Sequence, residues 1–94
     1  MKKVAIITGG TRGIGLGISK IFVAQGYRVV VNYHSDKKVA KEALDSLKSG
    51  DAICIQADIS TSEGRKLLLL KTKEHFGSFD VLINNAGIIR QGKF

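Results

Sequence analysis

Thr8-Gly9-Gly10-Thr11-Arg12-Gly13-Ile14-Gly15 follows the apolar run Val4-Ala5-Ile6-Ile7 and leads into a helical pattern. A strand that ends in such a turn needs glycine for two reasons. The backbone must bend sharply without a Cβ clash, and it must come close to whatever it binds. A helix starting at Ile14 points its free N–H groups back at the turn, where an anion is favoured. Gly10 and Gly15 have the interval of a nucleoside-triphosphate loop, but Leu16 stands where that loop needs lysine. The usual dinucleotide spacing, with glycines at one, three and six, is also absent. What remains is Gly-x3-Gly-x-Gly at residues 9, 13 and 15. Alone, the pattern is also compatible with a turn that serves packing only.

Outward from this turn, strand and helix patterns alternate. Lys3 to Thr8 reads as a buried strand. Ile14, Ile18, Ile21 and Phe22 form a helical stripe, and Gly26 stands where a left-handed cap is wanted. Tyr27 to Tyr33 is a second strand with the β-branched run Val29-Val30-Val31. Val39, Ala40, Ala43, Leu44 and Leu47 make a second stripe, stopped by Gly50. Asp51 to Ala57 is a third strand. Ser60-Thr61-Ser62-Glu63 reads as a capping box for a third helix, which Gly77 ends, and Asp80 to Asn84 is a fourth strand. Apolar strands alternating with amphipathic helices imply an α/β fold, a parallel sheet covered on both faces.

Right-handed crossovers then favour a Rossmann-like, doubly wound βαβαβαβ arrangement with strand order 3-2-1-4. The order reverses between strands one and four, leaving a crevice at their carboxyl ends. The glycine turn leaves strand one there, and Asn84-Asn85-Ala86-Gly87 leaves strand four there. Two motifs distant in sequence are thus expected to be neighbours in space, at a nicotinamide dinucleotide site.

The chain has 94 residues, with 44% hydrophobic and 24% charged, enough for one small soluble domain. No apolar run approaches the roughly 20 residues of a membrane span. Met1-Lys2-Lys3 runs straight into a strand with no signal-peptide pattern, so a cytoplasmic setting is expected. The single Cys54 sits in an apolar strand and reads as an inert thiol. His34 and His75 lack metal-ligand spacing, and no metal is expected. The net charge is +7, but its lysines are scattered without aromatic interleaving, which argues against nucleic acid.

The glycine turn, Asp58 after strand three and Asn-Asn-Ala-Gly after strand four together resemble the short-chain dehydrogenase/reductase family, along the whole chain. Within it, the tail Asn84-Asn85-Ala86-Gly87-Ile88-Ile89-Arg90-Gln91-Gly92-Lys93-Phe94 is similar to the 3-oxoacyl-carrier-protein reductases and acetoacetyl-CoA reductases. The resemblance implies that Gly9, Gly13 and Gly15 line a pyrophosphate with Ile14 behind it, and that Thr11 belongs to the same cofactor site. It implies that Asp58 bonds the adenine amino group with Ile59 beside the ring. It implies that Asn85, Ala86 and Gly87 flank the adenosine ribose and support the sheet. The structural alternatives are a helix cap for Asp58 and backbone turn bonds for Asn84 and Asn85.

Cofactor choice can be read from the residues. An NAD site usually has an acid near the end of strand two. Here that stretch is Asn32-Tyr33-His34-Ser35, with no carboxylate until Asp36, which can cap the next helix. Arg12, with Tyr33, His34, Ser35, Lys37 and Lys38 nearby, suits a 2′-phosphate, so NADP is favoured over NAD. The family's catalytic Ser, Tyr and Lys, and their assisting Asn, lie beyond its Asn-Asn-Ala-Gly segment, and seven residues follow Gly87 here. The resemblance therefore implies the N-terminal part of such an enzyme, with no catalytic residue of its own. The intact enzyme would take an acyl thioester. A non-catalytic nucleotide-binding module is the alternative. Val81, Leu82, Ile83 and the run Leu67-Leu68-Leu69-Leu70 carry more apolar surface than one domain of this size covers, which predicts a homo-oligomer or another covering segment.

Overall fold

The computed structural model describes residues 2–85. Its elements are β1 (Val4–Ile7), α1 (Gly13–Ala24), β2 (Arg28–Tyr33), α2 (Lys37–Leu47), β3 (Ala52–Gln56), α3 (Ser62–Phe76) and β4 (Val81–Ile83). The four strands form one parallel sheet in the order β3-β2-β1-β4. This is the expected Rossmann-like order, and the strand boundaries move inward by one residue at each end, except that β2 keeps its expected end at Tyr33.

Side chains alternate across a strand, so each sheet face takes every second residue. Ala5, Ile7, Val29 and Val31 pack on one face with Leu47 and Ala52, joined by Leu16, Ile18, Phe22 and Leu44 from α1 and α2. Ile6, Val30 and Ile55 face the other way, against Leu68, Ile59 and Phe76. Right-handed crossovers produce this split. α1 and α2 step the sheet outward from β1, and α3 returns it across the opposite face to β4.

Asp80 fastens β4 to β1. Its carboxylate accepts from the Val4 amide at 2.8 Å, and its own amide donates to the Val4 carbonyl at 2.8 Å.

Three local expectations are corrected. The stripe Ile14–Ile18–Ile21–Phe22 is only half right, because Ile14 is 77% and Ile21 60% exposed. The fully buried positions of α1 are Gly15 and Ser19, small residues that let the helix lie close to the turn. α2 is closed by Lys48 in the left-handed region (φ 52°), with Gly50 beyond it. α3 is capped by Thr61, whose hydroxyl accepts from the Gly64 amide at 2.9 Å. Ser60 is drawn away from capping, because its hydroxyl donates to Asp58 at 2.6 Å.

In the leucine run, Leu68 is buried while Leu67, Leu69 and Leu70 are exposed, as are Phe79 and Leu82.

Candidate dinucleotide site

The carboxyl ends of β1 and β4 meet as their motifs require. The Asn85 side-chain amide donates to the Gly9 carbonyl at 3.3 Å. The Thr8 hydroxyl reaches the side-chain oxygen of Asn84 at 3.2 Å, and the Thr8 amide donates to Ile83 at 3.0 Å. The turn is tied to β2 as well, since the Gly10 amide donates to the Asn32 carbonyl at 3.1 Å. The two motifs, 76 residues apart, form one structure. Ala86 and Gly87 lie outside the described residues.

Each glycine in the turn has its own reason. Gly9 and Gly13 have φ of 61° and 48°, which side chains with a Cβ disfavour. At Gly13 a Cβ would meet nothing, so the space over it is open. At Gly15 a Cβ would strike the Gly9 carbonyl and crowd the Asn85 amide at 2.8 Å. Ser19 completes the joint. Its hydroxyl, fully buried, lies 3.2 Å from the Gly10 carbonyl and 2.9 Å from that of Gly15.

The N-terminus of α1 differs from the other two. α2 is capped by Asp36 and α3 by Thr61, but Arg12 at the head of α1 makes no side-chain cap bond. The first turn of α1 thus presents backbone donors beside an open glycine, an arrangement that suits an anionic ligand.

Next to it, Gly9, Thr11, Arg12, Tyr33, His34, Ser35 and Asp36 line a cleft of about 260 Å³. Thr11 is buried, while Arg12 and Asp36 are exposed and paired, Nη2 to Oδ2 at 2.7 Å. Asp36 also caps α2, as the sequence suggested, and its pairing with Arg12 adds a second contact. On the far side of β2, His34 Nε2 lies 3.6 Å from Asp58. The Ser60 hydroxyl and amide hold the Asp58 carboxyl below its ordinary range, with His34 adding a smaller pull. Asp58 is therefore an anionic acceptor at neutral pH. Ile59 packs into the core under α3.

Asn32 passed unnoticed in the sequence. It is buried, and its amide donates to the Ile55 and Ala57 carbonyls at 3.2 Å each, fixing β3 beside β2 where the cleft begins. A polar residue one position before the end of an apolar strand was its only signal.

A larger space of about 410 Å³ lies between the β3 edge and α3, lined by Ile53, Cys54, Ile55, Lys71, Glu74 and His75. It shares no residue with the glycine turn. Burial pushes the Cys54 thiol up, and its sulfur donates to the Ala40 carbonyl at 3.4 Å. Among the described residues, no cluster of His, Cys, Asp or Glu could hold a metal, and no helix is long and apolar enough to cross a membrane.

Residues 3–94 match the family model for short chain dehydrogenase. The chain belongs to that family. Glucose 1-dehydrogenase 2 of Bacillus subtilis is 46% identical over 87 residues, which cover 90% of this chain and 34% of the relative. A 3-oxoacyl-[acyl-carrier-protein] reductase of Staphylococcus aureus is 39% identical over 92 residues, covering 96% of this chain and 37% of the relative. A variant of actinorhodin polyketide ketoreductase, solved with NADPH, superposes with a TM-score of 0.83 at 30% identity, over 89% of this chain and 33% of that one. The chain thus spans about a third of the length of each.

In short-chain dehydrogenases, tyrosine and lysine four residues apart take part in catalysis. Tyr33 and Lys37 have that interval, which corrects the expectation that neither Tyr27 nor Tyr33 is followed by lysine at that spacing. Their placement separates them. Tyr33 ends β2 and Lys37 opens α2, so the two lack the single-helix setting in which side chains at i and i+4 are neighbours.

Proposed function

We propose that this chain is the NADP-binding portion of an oxidoreductase that reduces a 3-oxoacyl thioester, of the acetoacetyl-CoA or 3-oxoacyl-carrier-protein type. The observation that carries the cofactor choice is Arg12, exposed at the rim of a cleft whose β2 side reads Tyr33-His34-Ser35, with no carboxylate before Asp36. A guanidinium offers a planar fork of donors that matches a phosphate. A 2′-hydroxyl would instead call for an acceptor at the end of β2 itself, where Tyr33 stands.

In this reading Gly9, Gly13 and the amides at the head of α1 receive the pyrophosphate. Arg12, Thr11 and Ser35 receive the 2′-phosphate. Asp58 accepts from the adenine amino group, and Asn85 holds the turn in shape from below. The cofactor, when bound, supplies hydride to a carbonyl carbon. The chain's own residues bind and orient it. The NADPH in the ketoreductase structure and the 3-oxoacyl substrate in the name of the Staphylococcus relative support this reading. The setting proposed is cytoplasmic, without nucleic acid or membrane, in a homo-oligomer.

The test is a fluorescence titration of the chain with NADPH and NADH. NADPH should bind at least about fivefold tighter, the size of one charge-assisted contact. Arg12→Ala should remove most of that advantage. Equal affinities in the unaltered chain would overturn the reading.

A further inference from the structure

Asp36 has two carboxylate oxygens with separate duties. Oδ1 accepts from the Val39 amide at 3.1 Å and caps α2. Oδ2 accepts from Arg12 Nη2 at 2.7 Å, across the mouth of the cleft. The guanidinium that suits a phosphate is therefore already held by an acid within the same cleft. Arg12 and Asp36 have side chains 65% and 47% exposed, so the pair lies in high dielectric and can open.

We propose that Asp36 is a latch on Arg12 that sets how strongly this site prefers a 2′-phosphorylated dinucleotide. The inference rests on the reading of Arg12 as the phosphate contact. When a 2′-phosphate enters, the fork must release Oδ2, wholly or at one nitrogen. The cap on Oδ1 is untouched, so α2 stays formed while the latch opens. A ligand that lacks the phosphate leaves the latch closed and loses nothing to it. Asp36 is thus a specificity-determining residue that acts through Arg12.

The size of the effect follows from the exposed pair. Pairs of this kind favour the closed state by up to about fivefold. The apparent affinity of a ligand that needs the open state falls by the open fraction, so the latch weakens 2′-phosphate binding by about two- to sixfold. NADH, which does not compete for Arg12, should shift by less than about twofold.

The experiment uses Asp36→Asn and Asp36→Ser. Both residues cap helices nearly as well as aspartate, and circular dichroism melts check that the fold is kept. NADPH and NADH are titrated by nicotinamide fluorescence into the unaltered chain, each Asp36 variant, Arg12→Ala and the Arg12→Ala/Asp36→Asn double variant, at low salt and at 0.5 M salt. The expected result is a two- to sixfold rise in the NADPH-over-NADH ratio for both Asp36 variants. The rise should shrink at high salt, where the exposed pair is screened, and vanish in the double variant. An unchanged or reduced ratio in folded Asp36 variants overturns the latch. If Arg12→Ala leaves the ratio untouched, or no dinucleotide binds, the assignment of Arg12 fails and the latch fails with it. A rise that persists without Arg12 shows simple charge repulsion and also overturns the latch.

Discussion

Gly15→Ala and Gly17→Ala make the same chemical change two residues apart in α1 and should move stability in opposite directions. A Cβ at Gly17 meets no atom within 4 Å. Alanine there gains helix propensity of about 0.5–1 kcal/mol. A Cβ at Gly15 strikes the Gly9 carbonyl oxygen and lies 2.9 Å from its carbon. Those are backbone atoms, so relief requires the turn to shift. Overpacking of this kind costs about 1–3 kcal/mol. The shift also pulls the Gly9 carbonyl from the Asn85 amide at 3.3 Å, a bond worth about 0.5–1.5 kcal/mol. The propensity gain is shared by both variants and cancels in their comparison. Gly15→Ala should therefore be less stable than Gly17→Ala by about 1.5–4.5 kcal/mol, the sum of those two costs. In a domain of this size that is at least about 6 °C between melting temperatures. Thermal melts by circular dichroism, with urea titrations, measure the gap. Two variants within about 0.5 kcal/mol of each other, the spread of ordinary surface changes, would refute the close seating of α1 on the turn and with it the joint between the two motifs.

Leu68→Ala, at a position 3% exposed, should cost about 2–5 kcal/mol, while Leu70→Lys, at 54% exposed, should stay within about 0.5 kcal/mol. Sedimentation should show that Leu70→Lys combined with Leu82→Lys lowers self-association, because both side chains are exposed; unchanged association would remove this face from the interface. The Ser60 hydroxyl and amide hold the Asp58 carboxyl below the ordinary carboxylate range, so its contribution is present above that range and is lost as pH falls through the lower, folded value. Acid titrations of stability should show a smaller loss in that window for Asp58→Asn than for the unaltered chain, and parallel curves would count against the Ser60 contact. Purified chain given NADPH and acetoacetyl-CoA should show no sustained turnover by nicotinamide absorbance, because Tyr33 and Lys37 do not share a helix; turnover proportional to chain concentration would falsify this.

Much of the fold was legible because hydrophobic period and crossover handedness act on whole segments. The parallel sheet, its 3-2-1-4 order and the α2 face of Ala40, Ala43 and Leu47 followed from those alone. Misreadings arose where volume outweighed hydrophobicity. In α1 the seam against the turn needs small residues, so Gly15 and Ser19 are buried while Ile14 and Ile21 face outward. At α3 two hydroxyl residues competed for one cap, and a carboxylate captured Ser60 and left the cap to Thr61. Lys48 takes a left-handed turn with no glycine to announce it. The meeting of the glycine turn with Asn84 and Asn85 was readable from topology. The Arg12–Asp36 pair was not, because the side chains lie 24 residues apart on two exposed loops with no periodicity to connect them.

If the glycine turn and the segment after β4 form one dinucleotide site, both must respond to the same bound cofactor. Amide chemical-shift mapping of the isotope-labelled chain with NADPH tests it most directly. Shifts should concentrate at residues 9–15, 33–36, 58 and 84–85, and be larger at Arg12 and Ser35 with NADPH than with NADH. Shifts confined instead to Ile53–Ile55 and Lys71–His75, around the larger space beside β3, would contradict it.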